Sequence, residues 1–365
     1  MKSPRTSSPT VTCTRFAING AFLTRPTTGL ERFARETLRE LDRLVPRGRL
    51  VLLVPPSVPS DELGFLRNIV VRRCGCFSGV LWEQLSLPFA ARRLRMNVLS
   101  LTNTVPLLRP GIACLHDVFY ITHADQFRKS LAGRLSMLWH RFHYKAIVRG
   151  KKVVYTVSEY SKRQIRDVLG VDERRILVLG NGWEHIRRIA GDEGVFTRYP
   201  DIRRGDYFFV LGNRSPYKNL AWIVAAARKF PVEQWVVTGR RPRSTTDADI
   251  QLPNVIYTGY LSDGEVKALL DGCRAFVHPS LDEGFGIPPL EALALGRPVL
   301  AARAACLPEI FKKAVHWIDQ PNEYDGPDPI VLLQGDVSGA EEILSTHTWA
   351  RVAGRLWKSL DEMSI

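Results

Sequence analysis

The sequence predicts an α/β protein made of two parallel-sheet domains. Three observations carry that prediction. Short apolar runs of strand length alternate with amphipathic helical stretches along the chain. The alternation starts afresh after a polar, glycine-bearing stretch at 191–206 (GDEGVFTRYPDIRRGD). The charge changes sign there too: residues 1–190 carry 32 Lys/Arg against 14 Asp/Glu, and residues 191–365 carry 19 against 23.

In the first half, apolar runs predict strands at 15–18, 50–54, 97–101, 112–115, 152–157 and 176–179. The helix after the first strand is the clearest. Leu30, Phe33, Ala34, Thr37, Leu38, Leu41 and Leu44 recur at helical spacing, with Arg and Glu on the opposite face. Basic residues from Arg128 to Lys152 interleave with Leu131, Leu135, Leu138, Trp139 and Phe142 in a second helix, and Arg92, Arg93 and Arg95 lie in a third. Strands are expected again at 207–211, 234–238, 254–258, 275–278 and 298–302. The last segment, 347–363, lines up Trp349, Val352, Leu356, Trp357 and Leu360 on one helical face. The expected division is 1–190, 191–345 and a terminal helix at 346–365. Open parallel sheets bind ligands beyond the C-terminal ends of their strands, so two such domains face to face would share a central cleft.

No window approaches the roughly 18 consecutive apolar residues of a membrane span. The basic, Ser/Thr-rich start (MKSPRTSSPTVTCTRF) has no apolar core of a signal peptide. The six cysteines include one C-x-C, Cys74 and Cys76, which without a second pair is a poor zinc signal. Reduced thiols, and hence a cytoplasmic protein, are expected. Ser158 and Ser161 read as helix caps, with Ser161-x-x-Gln164 as a capping box. His140 and His143 share a basic helix without a third ligand, and Asp247-Ala248-Asp249 lies in a polar loop, so no metal is expected. No G-x-G-x-x-G follows the first strand, which argues against a dinucleotide dehydrogenase.

Two stretches carry chemistry. In HPSLDEGFGIPPLEAL (278–293), Gly284 and Gly286 let backbone approach a ligand, and Pro288–Pro289 suit a helix start. A glycine loop entering a helix N-terminus suits phosphate oxygens. Glu291, expected in the first helical turn, would repel phosphate and so should face hydroxyls, as should Glu283. The two carboxylates would measure out a nucleotide-sugar. The alternative is a helix-dipole role for Glu291 and a solvated Glu283. In LGNRSPYKNL (211–220), Arg214 and Lys218 follow a strand and precede a helix, where cations can hold phosphate.

With these motifs the chain resembles the retaining nucleotide-sugar glycosyltransferases of family 4, which have the GT-B fold of two Rossmann-like α/β domains facing a central cleft. The E-x7-E element from Glu283 to Glu291 is the most specific part. GNRSPYKNL, VIYTGYLSDGEVKALL (255–270), VVYTVSEYSKRQI (153–165) and the Trp-bearing last helix also match. The resemblance implies roles at matching positions. Glu291 would bind ribose hydroxyls, and Glu283 the transferred sugar, beside the backbone of Gly284, Phe285, Gly286 and Ile287. Lys218 and Arg214 would hold the diphosphate. Gly259, Tyr260 and Leu261 would hold the base, His116 in CLHDVFY would contact the donor sugar, and Gly29 in RPTTGLERF would approach the phosphates. Asn181 and Gly182 would face the acceptor. The last helix would cross back to the N-terminal domain.

Two departures stand out. Tyr217 replaces the arginine that many members have before the phosphate lysine, and Trp183–Glu184 follow Asn181–Gly182 where an aliphatic residue and Asp are usual. The implied reaction moves a hexose, such as mannose or glucose, from a UDP- or GDP-sugar to a hydroxyl. It retains configuration without metal or cofactor. The acceptor would be lipid-linked or a growing cell-surface polysaccharide, with the basic helices on an anionic inner leaflet. A GT-B epimerase is the rival enzyme. A nucleic-acid-binding protein is the non-enzymatic rival suggested by a pI near 9.7, though it leaves the glutamate pair unexplained and shows no RNA-binding or helix-turn-helix signature.

Overall fold

The computed structural model describes residues 16–150, 152–212, 215–239, 252–319, 321 and 328–363. Arg214, Lys151 and the Asp247–Asp249 loop lie outside the described residues.

Two parallel sheets organise the chain. The first has seven strands: β1 (Phe16–Asn19), β2 (Leu50–Val54), β3 (Val70–Arg73), β4 (Asn97–Ser100), β5 (Ile112–Cys114), β6 (Val154–Thr156) and β7 (Ile176–Val178), in the order β3-β2-β1-β4-β5-β6-β7. The second has six: β8 (Tyr207–Leu211), β9 (Gln234–Thr238), β10 (Val255–Gly259), β11 (Ala275–His278), β12 (Val299–Ala302) and β13 (His316–Ile318), in the order β10-β9-β8-β11-β12-β13. In both sheets the order reverses beside the first strand, as in doubly wound folds.

Ten of the eleven expected strands fall within a residue of their forecast limits, and β6 is shorter than expected at both ends. Two strands were not expected. β3 (VVRR) is a mostly exposed edge strand with only two apolar residues. Charges on an edge discourage pairing with a stranger, and they also hide the strand from an apolar count. β13 (HWI) has three residues, too few for a period to register. The stretch at 191–206 is not bare linker: it contains a short helix, Gly194–Arg198, whose Val195 is fully buried.

By its contacts the chain groups into two compact units, one of residues 1–114, 142–154 and 356–365, the other of 115–141 and 155–355. In the first unit Ala17, Val51, Leu53 and Val98 from the strands pack with Trp82, Leu87 and Ala91. The helix Gly29–Leu44 buries Phe33, Ala34, Thr37, Leu38 and Leu41 as its spacing predicts, while Leu44 is exposed. In the second unit Phe208, Trp235, Ala275 and Val277 meet Trp222, Ile223 and Ala226 from the helix Leu220–Lys229. Phe208 and Trp235 stack with centroids 4.8 Å apart. The helix Trp349–Glu362 buries Trp349, Val352, Ala353, Leu356 and Leu360, and the unit boundary falls within it, after Arg355.

No helix among the described residues is long and apolar enough to cross a membrane.

Candidate active site

The second sheet reverses between β8 and β11, so the loops that leave these two strands at their C-terminal ends are neighbours. One carries Lys218 and the other carries Glu283. The loops are tied together. The Leu281 N–H donates to the Tyr217 carbonyl at 2.7 Å, and the Asn219 amide donates to the Pro279 carbonyl at 3.2 Å. Asn219 adopts a left-handed conformation (φ 57°), which an asparagine tolerates, and it turns the chain from the Pro216–Lys218 turn into the next helix.

Lys218 and Glu283 form an ion pair with only 19% and 12% of their side chains exposed. His278, the last residue of β11, places Nε2 2.9 Å from Glu283 Oε1 but off the line of a hydrogen bond. Burial works to raise the Glu283 carboxyl, yet the Lys218 ammonium and the His278 ring outweigh it and hold it well below the usual carboxylate range. Burial likewise works to lower Lys218, and Glu283 outweighs it, so the ammonium titrates above an ordinary lysine. His278 is lowered by burial and by Lys218, despite Glu283.

Gly284 follows at a crowded point. Its carbonyl accepts from Ser158 Oγ at 2.7 Å and from Ser161 Oγ at 3.3 Å. Ser161 Oγ also donates to the His116 carbonyl at 3.0 Å, and a Cβ on Gly284 would lie 2.9 Å from that oxygen. The backbone of His116, just beyond β5, is therefore packed on the glycine loop. Ser158 is the N-cap of the helix Glu159–Leu169 and accepts from Ser161 N–H, so the capping box expected from Ser161 to Gln164 does not form. Gln164 lies inside that helix and bonds the Tyr160 hydroxyl instead.

Asp282, which no motif marked, joins the same cluster. Its carboxylate accepts from Tyr160 OH at 3.0 Å and lies 2.7 Å from His123 Nε2. Burial, then Asp282, pushes the Tyr160 phenol above the ordinary tyrosine range. Tyr217, standing where an arginine was usual, packs its ring 5.0 Å from Phe119 and 5.2 Å from His123. A small recess beside Glu283 is lined by Asp117, Phe119, Thr122, Tyr160 and Asp282.

Gly286 has φ 90° and caps the helix Ile287–Ala294, with Pro288 in its first turn as expected. Glu291 is the fifth residue of that helix, beyond the first turn in which it was expected, so that placement is corrected and the alternative dipole role loses its position. It is 9% exposed and bonded to His185 Nε2 at 2.6 Å. Nothing in the sequence pattern linked His185 to Glu291, 106 residues away. Phe285 is buried. Gly259 ends β10 with φ 71° and its carbonyl accepts from Gly239 N–H at 2.6 Å; Tyr260 is exposed, and Leu261 follows it two strands away from β8. Asn181 is buried, with its Oδ1 unbonded among the described residues. Gly182 permits close approach to Trp349, since a Cβ there would lie 2.2 Å from Trp349 N. Gly29 begins the first unit's long helix beside the cap Thr28, whose N–H donates to Glu31 at 3.2 Å.

Residues 201–325 match the family described as glycosyl transferases group 1. Anabaena HepE, solved with UDP and glucose, superposes over 95% of this chain and 99% of its own with a TM-score of 0.63 at 17% identity. The fold is GT-B. The GT-B chain is also 27% identical over 228 residues to the O-antigen chain mannosyltransferase RfbU of Salmonella typhimurium, covering 60% of each. It is 48% identical over 238 residues to the serotype-specific mannosyltransferase WbdA of Escherichia coli, covering 58% of this chain and 28% of that protein. It thus spans less than two thirds of either relative. The matched family region contains Lys218, His278, Glu283 and Glu291.

Proposed function

We propose that this chain is a hexosyltransferase of polysaccharide assembly, of the family 4 retaining type, using a UDP- or GDP-hexose as donor. The observation that carries the reading is the meeting of Lys218 and Glu283 from the two loops at the reversal point of the second sheet. A buried cation there can take a diphosphate, and the carboxylate it releases can accept from sugar hydroxyls. The mannosyltransferase relatives favour mannose as the hexose.

In the proposed reaction the bond from the anomeric carbon to the diphosphate breaks, and its electron pair leaves on the phosphate oxygen. The acceptor hydroxyl bonds to the same face of that carbon, and its proton passes to the departing oxygen. Lys218 exchanges Glu283 for the diphosphate and offsets its growing charge, so the step needs no metal. Arg214 supplies a second cation. His116 and Glu283 contact the sugar, and the Gly284–Ile287 backbone lies against it. Gly259–Leu261 hold the base and Gly29 approaches the phosphates. Asn181 and Gly182 face the acceptor. The domain division at 190/191 and 345/346, and the cytoplasmic location, belong to the same proposal.

A contact with anionic membrane is part of the proposal as well. The helix Leu131–Arg149 exposes Leu131, Leu135, Leu138 and Phe142 on one stripe, and Arg134, Arg141, Lys145 and Arg149 accompany it. Apolar residues flanked by cations suit an acidic leaflet and a lipid-linked acceptor. Co-sedimentation with phosphatidylglycerol vesicles at low salt, lost in Leu135→Glu/Phe142→Glu, is expected; no binding by the unaltered protein removes this part.

The central test is a panel of UDP- and GDP-hexoses read by released nucleoside diphosphate, with and without oligosaccharide acceptors. Acceptor-dependent release, reduced at least about tenfold in Glu291→Ala, is expected. Conversion of the donor without transfer would favour the epimerase. Tight, salt-dependent oligonucleotide binding untouched by Glu291→Ala would replace the enzyme reading altogether.

A further inference from the structure

Glu291 reaches its place through a chain of bonds. His185 Nε2 lies 2.6 Å from Glu291 Oε1, and on the other side of the ring Nδ1 lies 2.9 Å from Trp349 Nε1. An indole N–H only donates, so Nδ1 must accept and the ring carries its proton on Nε2. The ring therefore donates to the carboxylate. His185 and Trp349 are both out of reach of water, at 1% and 0% exposure.

Trp349 is itself held. Its backbone N–H lies 3.0 Å from both oxygens of Glu184, and the absent side chain of Gly182 gives that backbone room. The run Gly182-Trp183-Glu184-His185 thus fixes the indole, the indole fixes the ring's tautomer, and the ring fixes one oxygen of Glu291. Among the described residues Oε2 of Glu291 has no bonded partner.

We propose that His185 is the positioning residue for nucleotide recognition. Held by Trp349, it anchors Oε1 of Glu291 and orients Oε2 to accept from the ribose 2′- and 3′-hydroxyls of a nucleoside diphosphate. This deepens the reading given above and rests on it. A carboxylate anchored at one oxygen has its plane set before the ligand arrives, which removes rotational freedom that binding would otherwise have to freeze. A His185→Ala chain keeps Glu291 but loses that orientation.

The experiment compares UDP and GDP with their 2′-deoxy forms by calorimetry. The ratio of the two affinities reports hydroxyl recognition and is insensitive to a general loss of binding. The unaltered protein should favour the ribonucleotide about tenfold, the worth of one charge-assisted hydrogen bond. Glu291→Ala and His185→Ala should lose most of that ratio, and Trp349→Phe about threefold of it. His185→Gln should retain it, since an amide can donate to Glu291 while accepting from Trp349. Ring-nitrogen NMR of the ligand-free protein should show the proton on Nε2.

A His185→Ala protein with the original ratio overturns the inference and leaves the nucleotide reading intact. No discrimination by the unaltered protein, or none lost in Glu291→Ala, overturns that reading and the inference with it. A proton found on Nδ1 also overturns the inference, and this measurement with Trp349→Phe and His185→Gln decides the matter if His185→Ala does not fold.

Discussion

Replacing Lys218 with methionine should destabilise the ligand-free protein, and replacing Glu283 as well should restore much of the loss. In Lys218→Met the Glu283 carboxylate is left 12% exposed and, among the described residues, keeps only the His278 ring beside it, 2.9 Å away and poorly aligned. Breaking a buried ion pair on one side costs about 3–5 kcal/mol, because the remaining charge stays desolvated. The residual exposure of both side chains and the nearby ring lower that, so about 2–3 kcal/mol is expected. In Lys218→Met/Glu283→Gln the stranded charge is gone, and at least half of the loss should return. Urea unfolding followed by circular dichroism gives the three stabilities, and released nucleoside diphosphate gives activity. Activity should fall at least about a hundredfold in both variants, as expected for a donor that stabilises a departing anion. A single variant as stable as the parent, or a double variant no more stable than the single, would refute the argument that a desolvated pair links the two loops.

The same pair sets a pH dependence. Glu283 is depressed in the folded state, so its contribution is complete above the ordinary carboxylate value of about 4.5 and declines as pH falls toward its folded value. The stability gap between the parent and Glu283→Gln should therefore be widest above about pH 4.5 and narrow on the acid side, as read by thermal unfolding across pH. Gly284→Ala puts a methyl 2.9 Å from the His116 carbonyl, so thermal unfolding should reveal a loss of about 1–3 kcal/mol, and an unchanged transition would contradict that packing. Tyr160 should stay protonated above the ordinary tyrosine value of about 10, and Asp282→Asn should bring it down, as followed by ring NMR during alkaline titration. Cys306 is fully buried, and burial followed by Glu283 raises its thiol well above the ordinary value, so a thiol reagent mapped by mass spectrometry should label exposed Cys76 and spare Cys306 in the folded chain.

Much of the fold was legible because parallel strands buried on both faces leave continuous apolar runs. FVL at 209–211 and AFV at 275–277 are examples, and both became central strands. β3 escaped notice because an edge strand that ends in two arginines hides its period. The site was legible where chemistry and local geometry coincide, as in Gly284 and Gly286 ahead of Pro288. It was not legible in the residues around it. Asp282 looked like any loop aspartate until His123 and Tyr160 arrived from distant segments. Tyr217 read as a missing arginine, but it is an aromatic neighbour of Phe119 and His123.

The sequence by itself determined the class of the fold, the glycine loop and the start of the helix after it. Those depend on period, backbone freedom and proline, all of which act within a few residues. Only the tertiary structure decided who meets whom. Lys218 and Glu283 stand 65 residues apart in the chain and pair because β8 and β11 are adjacent in the sheet. Glu291 depends on His185 and, through it, on Trp349 of the last helix, because hydrogen bonds in a dry interior follow proximity in space and carry no mark in local sequence.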